Sequence, residues 1–260
     1  MKSPSDVGMN RTGIQTSPLN AKATLEGAKA GTPSSAGDES GIHAERIFCA
    51  KQAEPLGKVP PPGTVKGMAK TAMKLLQGEK VSLFVDKLGE RLAFERSGTR
   101  LYEVALSKLE AFGSWEGGPT REGLLAIRDD ELSHVQLVRE AIEKLGADPT
   151  AMTPSADFHA NASAGVPKML TDPRTNLRQC LEGLLIAELT DNAGWELLIR
   201  LAEGFGQAPM ANAFRDALMR EGEHLVQVRA GLGTGLDLEA GAGAHPPPPV
   251  PSPSSTPVMP

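Results

Sequence analysis

Two short motifs carry side chains able to do chemistry: Glu131-Leu132-Ser133-His134 and Glu221-Gly222-Glu223-His224. On a helix, a Glu and a His three residues later share one face and can reach the same point in space. Two such pairs on facing helices, joined by one Glu from each of two further helices, make a cage of four carboxylates and two imidazoles. Glu95 and Glu188 fall where those two further carboxylates are needed. Hard oxygen donors combined with imidazole suit iron or manganese better than thiolate-loving metals. Two divalent cations would also cancel four carboxylates, which bare burial would leave at a cost of several kcal/mol each. A lone Glu-x-x-His is a weak pattern. The weight lies in the coincidence of two pairs with two matched glutamates.

The elements that must position these groups are legible in the apolar spacing. A first helix is predicted with its stripe at Val81, Phe84, Leu88, Leu92, Glu95, Thr99, Tyr102, Leu106 and Leu109. A second carries Leu124, Ile127, Glu131, His134, Val138, Ala141 and Leu145. A third carries Leu177, Leu181, Leu184, Glu188, Asp191, Trp195, Leu198, Ala202 and Phe205, and a fourth Met210, Phe214, Ala217, Glu221, His224 and Val228. The steps alternate between three and four, as on the seam of packed helices. The polar groups interrupt each seam near mid-helix.

Punctuation sets the boundaries. Gly117-Gly118-Pro119 separates the first two helices, with Pro119 suited to a first helical position. Gly146 closes the second helix. Asp172-Pro173 reads as the cap and first residue of the third. Gly206 and Pro209 divide the third from the fourth, and Gly231, Gly233 and Gly235 end it. The short links predict two antiparallel hairpins, joined by a long crossover over about 147–171 with room for a short helix near 157–169. The halves also match. An offset of 93 residues lays Glu95 on Glu188, Tyr102 on Trp195 and Phe112 on Phe205, and an offset of 90 lays Glu131/His134 on Glu221/His224. A duplicated helical hairpin with pseudo-twofold symmetry is the simplest reading.

Over residues 80–232 the chain resembles the ferritin-like superfamily of di-iron carboxylate proteins, on Glu95, Glu131-Leu132-Ser133-His134, Glu188 and Glu221-Gly222-Glu223-His224. The resemblance implies an all-α, ferritin-like four-helix bundle with a long crossover. It implies Glu95 and His134 as terminal ligands of one metal, Glu188 and His224 of the other, and Glu131 and Glu221 as bridges. Asp130 would match the family's Asp-Glu-x-x-His variant, in which the Asp orients a ligand His; Arg220 takes the equivalent place in the fourth helix, so that support is one-sided. The implied cofactor is two Fe ions, alternatively Mn, with O2 or H2O2 as co-substrate in iron oxidation or peroxide removal. The alternatives are a di-manganese catalase, a substrate oxygenase, or a non-enzymatic metal-binding scaffold working through its ends. The subfamily stays open. Two cysteines, Cys49 and Cys180, cannot build the four-Cys iron site that rubrerythrins carry, and classical ferritins lack long tails.

Three further side chains border the site. Tyr102, the only Tyr, could supply an electron or proton or hydrogen-bond a ligand; packing as a core aromatic is the plainer role. Asp191, one turn beyond Glu188, faces the seam as an extra ligand or a supporting base. His159 in the crossover reads as a surface or packing His, and Cys180 as a buried small hydrophobe.

Composition frames the rest. Of 260 residues, nine of the ten aromatics fall between Phe84 and Phe214. Seven of 21 prolines lie in residues 1–78 and eight in 246–260. Residues 1–78 hold ten basic and six acidic groups, so a net charge of −5 hides a basic leader on an acidic core. Residues 1–63 are expected to be mostly disordered, with a helical turn near 41–53. Residues 64–79 are expected to form a short amphipathic helix or linker carrying Lys66, Lys70 and Lys74, and 233–260 a Pro-rich disordered tail. Either end could recruit a protein partner, and a homo-oligomer is expected. No apolar run approaches a membrane span, no secretory leader is read, and nothing calls for nucleic acid. A cytoplasmic address follows by default.

Overall fold

In a computed structural model of the chain, residues 18–31, 40–61 and 80–241 are described, and among them every regular element is a helix. The lysine stripe of 64–79 and the proline-rich run at 246–260 lie outside the described residues. The chain divides into two compact units, Met1–Pro55 and Leu56–Pro260. The first holds α1 (Pro18–Ala30) and α2 (Ser40–Gln52). α2 buries no residue, so it is a helix without a core of its own. Where composition alone leads to the expectation of little regular structure, both segments are helical.

In the second unit, α3 (Lys80–Phe112), α4 (Arg121–Leu145), α7 (Leu177–Gly204) and α8 (Ala208–Ala240) are the long elements. α5 (Pro154–Ser163) and α6 (Gly165–Thr171) fill the crossover. α3 packs along α4, α7 along α8, and α3 against α7, while α4 and α8 touch more sparingly. The apolar stripes meet as two cores. One contains Phe84, Leu88, Leu92, Val138, Ile142, Trp195 and Phe214. The other contains Leu101, Tyr102, Leu124, Ile127, Leu181, Leu184 and Val228. By their positions along the four helices, the predicted polar residues lie between these two cores.

Helix ends follow local chemistry, and three differ from expectation. α4 starts at Arg121 rather than Pro119, because the Thr120 hydroxyl accepts from the Gly123 N–H at 3.0 Å. α7 starts at Leu177, not after Asp172. The Asn176 side chain accepts from the Gln179 N–H at 2.9 Å, and the Gln179 side chain returns a bond to the Asn176 N–H at 3.0 Å. Asp172 instead opens a turn closed by the Thr175 N–H at 3.0 Å. α8 runs through Gly231, Gly233 and Gly235 to Ala240. Its glycine at 235 makes room, since an added Cβ would stand 2.7 Å from the Trp115 ring, and Trp115 donates to the Thr234 hydroxyl at 3.0 Å. Gly146, at φ 83°, ends α4 as expected.

The crossover is tied to α3 by polar contacts. Ser155 donates to Asp86 through its N–H at 2.9 Å and its hydroxyl at 2.7 Å. Lys108, 9% exposed, donates from Nζ to the Asp172 and Thr175 carbonyls at 2.7 and 2.8 Å. His159 pairs with Glu90 at 3.1 Å on the surface. Replacing Lys108 with Met strands two carbonyls, and urea unfolding should show a loss of about 1–3 kcal/mol.

Candidate metal centre

The spacing of each stripe decides what reaches the interior. Glu95 on α3, Glu131 and His134 on α4, Glu188 on α7, and Glu221 and His224 on α8 are each at most 5% exposed. Their helices meet with these turns at one depth, so all six side chains converge. Ligand-type atoms of Glu131, Glu188, Glu221 and His224 lie within 4.8 Å of one another, and so do those of Glu95, His134 and Glu221. A third grouping joins Glu95, Glu131, Asp191 and Glu221. Glu221 belongs to all three.

Both histidines turn Nδ1 inward. His134 Nδ1 lies 2.6 Å from Glu221 Oε1 and 3.7 Å from Glu95 Oε2. His224 Nδ1 lies 3.1 Å from Glu221 Oε2 and 4.0 Å from Glu188 Oε2. The other nitrogen of His224, Nε2, faces Asp130 Oδ2 at 3.2 Å, and the Asp130 side chain is 37% exposed. So Asp130 orients a histidine, and the one it orients belongs to the opposite hairpin. His134 has Trp195 edge-on against its ring instead, at 5.4 Å between centroids.

Tyr102 is buried and its hydroxyl donates to Glu188 Oε1. Trp195, its counterpart at an offset of 93, has no hydrogen-bond partner for Nε1. The two halves therefore differ in hydrogen bonding at this position. Asn192 donates from Nδ2 to the Glu188 and Glu221 carbonyls at 2.9 and 3.1 Å, locking those two turns of α7 and α8 together.

One participant is absent from the sequence expectations. Arg91 is 4% exposed, with Nε 2.9 Å from Glu95 Oε1 and Nη1 2.8 Å from Asp191 Oδ1 and 3.0 Å from the Asp191 carbonyl. Its guanidinium lies 4.4 Å from the centre of the Phe94 ring. Asp191 is thus an arginine's partner as well as a member of the acidic group. The usable signals were an Arg four residues before Glu95 and Gly194 three residues after Asp191, where an added Cβ would stand 2.2 Å from Nη1. Gly98 has the same purpose for Glu131, whose Oε2 would meet a Cβ there at 2.2 Å.

The electrostatics of this buried layer are strained. Burial, reinforced by the Glu95 charge, drives the Glu131 carboxyl well above its ordinary range. Burial and the neighbouring Glu221 push Glu188 up to about 8. Asp191 is raised by burial despite Arg91. Burial opposes ionisation of Glu221 too, but its hydrogen bonds to His134 and His224 outweigh that and bring it down to about 2. His134 is correspondingly held up to about 9, burial being overcome by Glu221 and Glu95. Five buried acids thus share two imidazoles and one guanidinium. Glu131 Oε2 is fully enclosed without a hydrogen-bond partner. Such an oxygen, in a set of carboxylates and Nδ1 atoms, fits a hard divalent cation. These buried Glu and His groups could hold a metal ion.

No helix among the described residues is long and apolar enough to cross a membrane. No family model, no curated protein and no solved structure matches this chain.

Proposed function

We propose that α3, α4, α7 and α8 form a ferritin-like four-helix bundle around a di-metal carboxylate centre, holding iron or manganese and reacting with O2 or H2O2. The observation that carries this reading is the pair of overlapping donor groups, one with His224 and one with His134, sharing Glu221 in a buried layer between two apolar cores. Glu95 and His134 would serve one ion, Glu188 and His224 the other, with Glu131 and Glu221 between them. Bound iron would supply the electron transfer to the oxidant.

The chain's own residues do the rest. The apolar cores keep bulk water out and hold the donors on rigid helices. Glu221 faces both Nδ1 atoms, at 2.6 and 3.1 Å, and so keeps each imidazole aimed inward. Tyr102 holds Glu188 Oε1, fixing that carboxylate's rotation and placing one phenolic proton at the edge of the cluster. His224 and Asp130 form a route from the buried layer toward water, Nδ1 inside and a partly exposed carboxylate outside. Asp130→Ala should therefore weaken metal binding by about 10–100-fold, measured by competition with a chromogenic chelator.

Metal analysis with Fe(II) and H2O2 turnover tests the reading, comparing wild type with Glu131→Ala. Wild type should retain iron or manganese and consume oxidant in proportion to Fe(II), and the variant should lose both properties. Wild-type protein that binds neither metal overturns the reading. Manganese retained from anaerobic purification, with peroxide consumed without Fe(II), would identify the catalase form.

A further inference from the structure

The two halves of the cluster are unequal in a way their sequence duplication does not predict. An offset of 93 residues places Leu184 opposite Arg91 and Gly98 opposite Asp191. Only the α3 side therefore carries a buried cation, and the pocket for it is built. Gly194 leaves the space, Asp191 binds Nη1 through both its side chain and its carbonyl, and Phe94 flanks the guanidinium. Arg91 Nε sits 2.9 Å from Glu95 Oε1.

Resting on the di-metal reading, we infer that Arg91 fixes the order in which two ions bind. The position made by Glu131, Glu188, Glu221 and His224 fills first and tightly. The position made by Glu95, His134 and Glu221 fills second and weakly.

Three observations carry this. Around His224 four donor atoms, Glu131's among them, already lie within 4.8 Å of one another, whereas His134 is grouped with Glu95 and Glu221 alone, so its side would have to draw Glu131 away from the His224 group. An ion at the second must share Glu95 with a guanidinium already on it and must sit near that positive charge, which buried surroundings screen poorly. An ion at the first faces Tyr102, a neutral donor, instead. Charge also closes. Glu95, Glu131, Glu188, Asp191 and Glu221, less one for Arg91, leave four negative charges, which two dications cancel. Asp191 comes within reach of Glu95, Glu131 and Glu221, yet the guanidinium occupies it, so a third ion has neither donors nor charge to hold it.

Titration with Mn(II) alone, without oxidant, tests the inference by calorimetry and by the spin-resonance signal of free Mn(II). Wild type should bind two ions in steps at least about tenfold apart in affinity. The double variant Arg91→Met/Asp191→Asn removes both charges together and leaves the net charge unchanged. It should still bind two ions, with the weak step tightened about tenfold so that the two converge. Single variants assign the steps without touching the ion pair: His134→Ala should lose only the weak step and His224→Ala the tight one. Two equal steps in wild type, an unmoved weak step in the double variant, or the reverse assignment from the histidine variants would overturn the inference while leaving the di-metal reading standing. No binding in wild type overturns both.

Discussion

Glu221→Ala is expected to leave the chain unable to hold either metal ion. Glu221 is the residue common to every donor grouping in the cluster, and its two oxygens face the two histidines at 2.6 and 3.1 Å. Loss of any one terminal ligand would spare the other position; loss of the shared carboxylate removes a donor from both at once. Both Nδ1 atoms would also lose the acceptor that keeps them turned inward, and each stranded donor costs about 1–3 kcal/mol. The remaining acids repel one another less, which offsets part of this cost, so the metal-free fold should lose stability modestly. Elemental analysis after dialysis should fall from two ions per chain to none, and added Mn(II) should no longer raise the melting temperature. Glu182→Ala, which removes an exposed carboxylate paired with the mostly covered Arg178, is the matched control and should leave both readouts unchanged.

The second large effect is the opposition between metal and proton. In chelated protein, Glu188 has its folded-state pKa raised from 4.5 to about 8, with Glu131 and Asp191 raised in the same direction. A raised carboxyl contributes stability below its unfolded value and loses it as pH climbs through the folded one. His134, raised from 6.5 to about 9, has the same sign. Glu221, lowered from 4.5 to about 2, acts oppositely, but only as pH falls below 4.5. The groups titrate as a unit. Chelated protein should therefore be most stable near pH 4.5–5 and lose stability toward pH 9, on the order of 1.4 kcal/mol per unit for each group in its window. Metal needs the deprotonated forms, so its benefit grows over the same range. At a hundredfold excess over Kd each ion adds about 2.7 kcal/mol. Melting curves with chelator and with Mn(II) at pH 5, 7 and 9 should diverge as pH rises; parallel curves would argue against a cation site among these acids.

Much of this was legible because the apolar spacing and the Glu/His spacing coincide. Glu95, Glu131, His134, Glu188, Glu221 and His224 each take a place on an apolar stripe where a core residue belongs, and four helices packed side by side must bring such places together. Asp130 was visible through its position before Glu131, though not that it would reach across to His224. Arg91 was not visible. An arginine beside an apolar stripe ordinarily extends its head to water, and what buries this one is the gap at Gly194 on another helix. The start of α7 was misplaced for a local reason: Asp172-Pro173 resembles a helix start, but the Asn176/Gln179 pair makes the stronger cap and the Asp172 carbonyl is held by Lys108. The glycines near the end of α8 looked like a stop. Gly235 instead accommodates Trp115, a contact from 120 residues earlier in the chain.

Anomalous diffraction from crystals grown with Fe(II) under anaerobic conditions, recorded at the iron edge, tests the proposed metal centre directly. Two peaks should appear among Glu95, Glu131, His134, Glu188, Glu221 and His224, with Glu221 between them. At limiting iron the peak beside His224 should be the stronger. Density at the iron edge elsewhere on the chain, or none within this layer, would contradict a di-metal centre here.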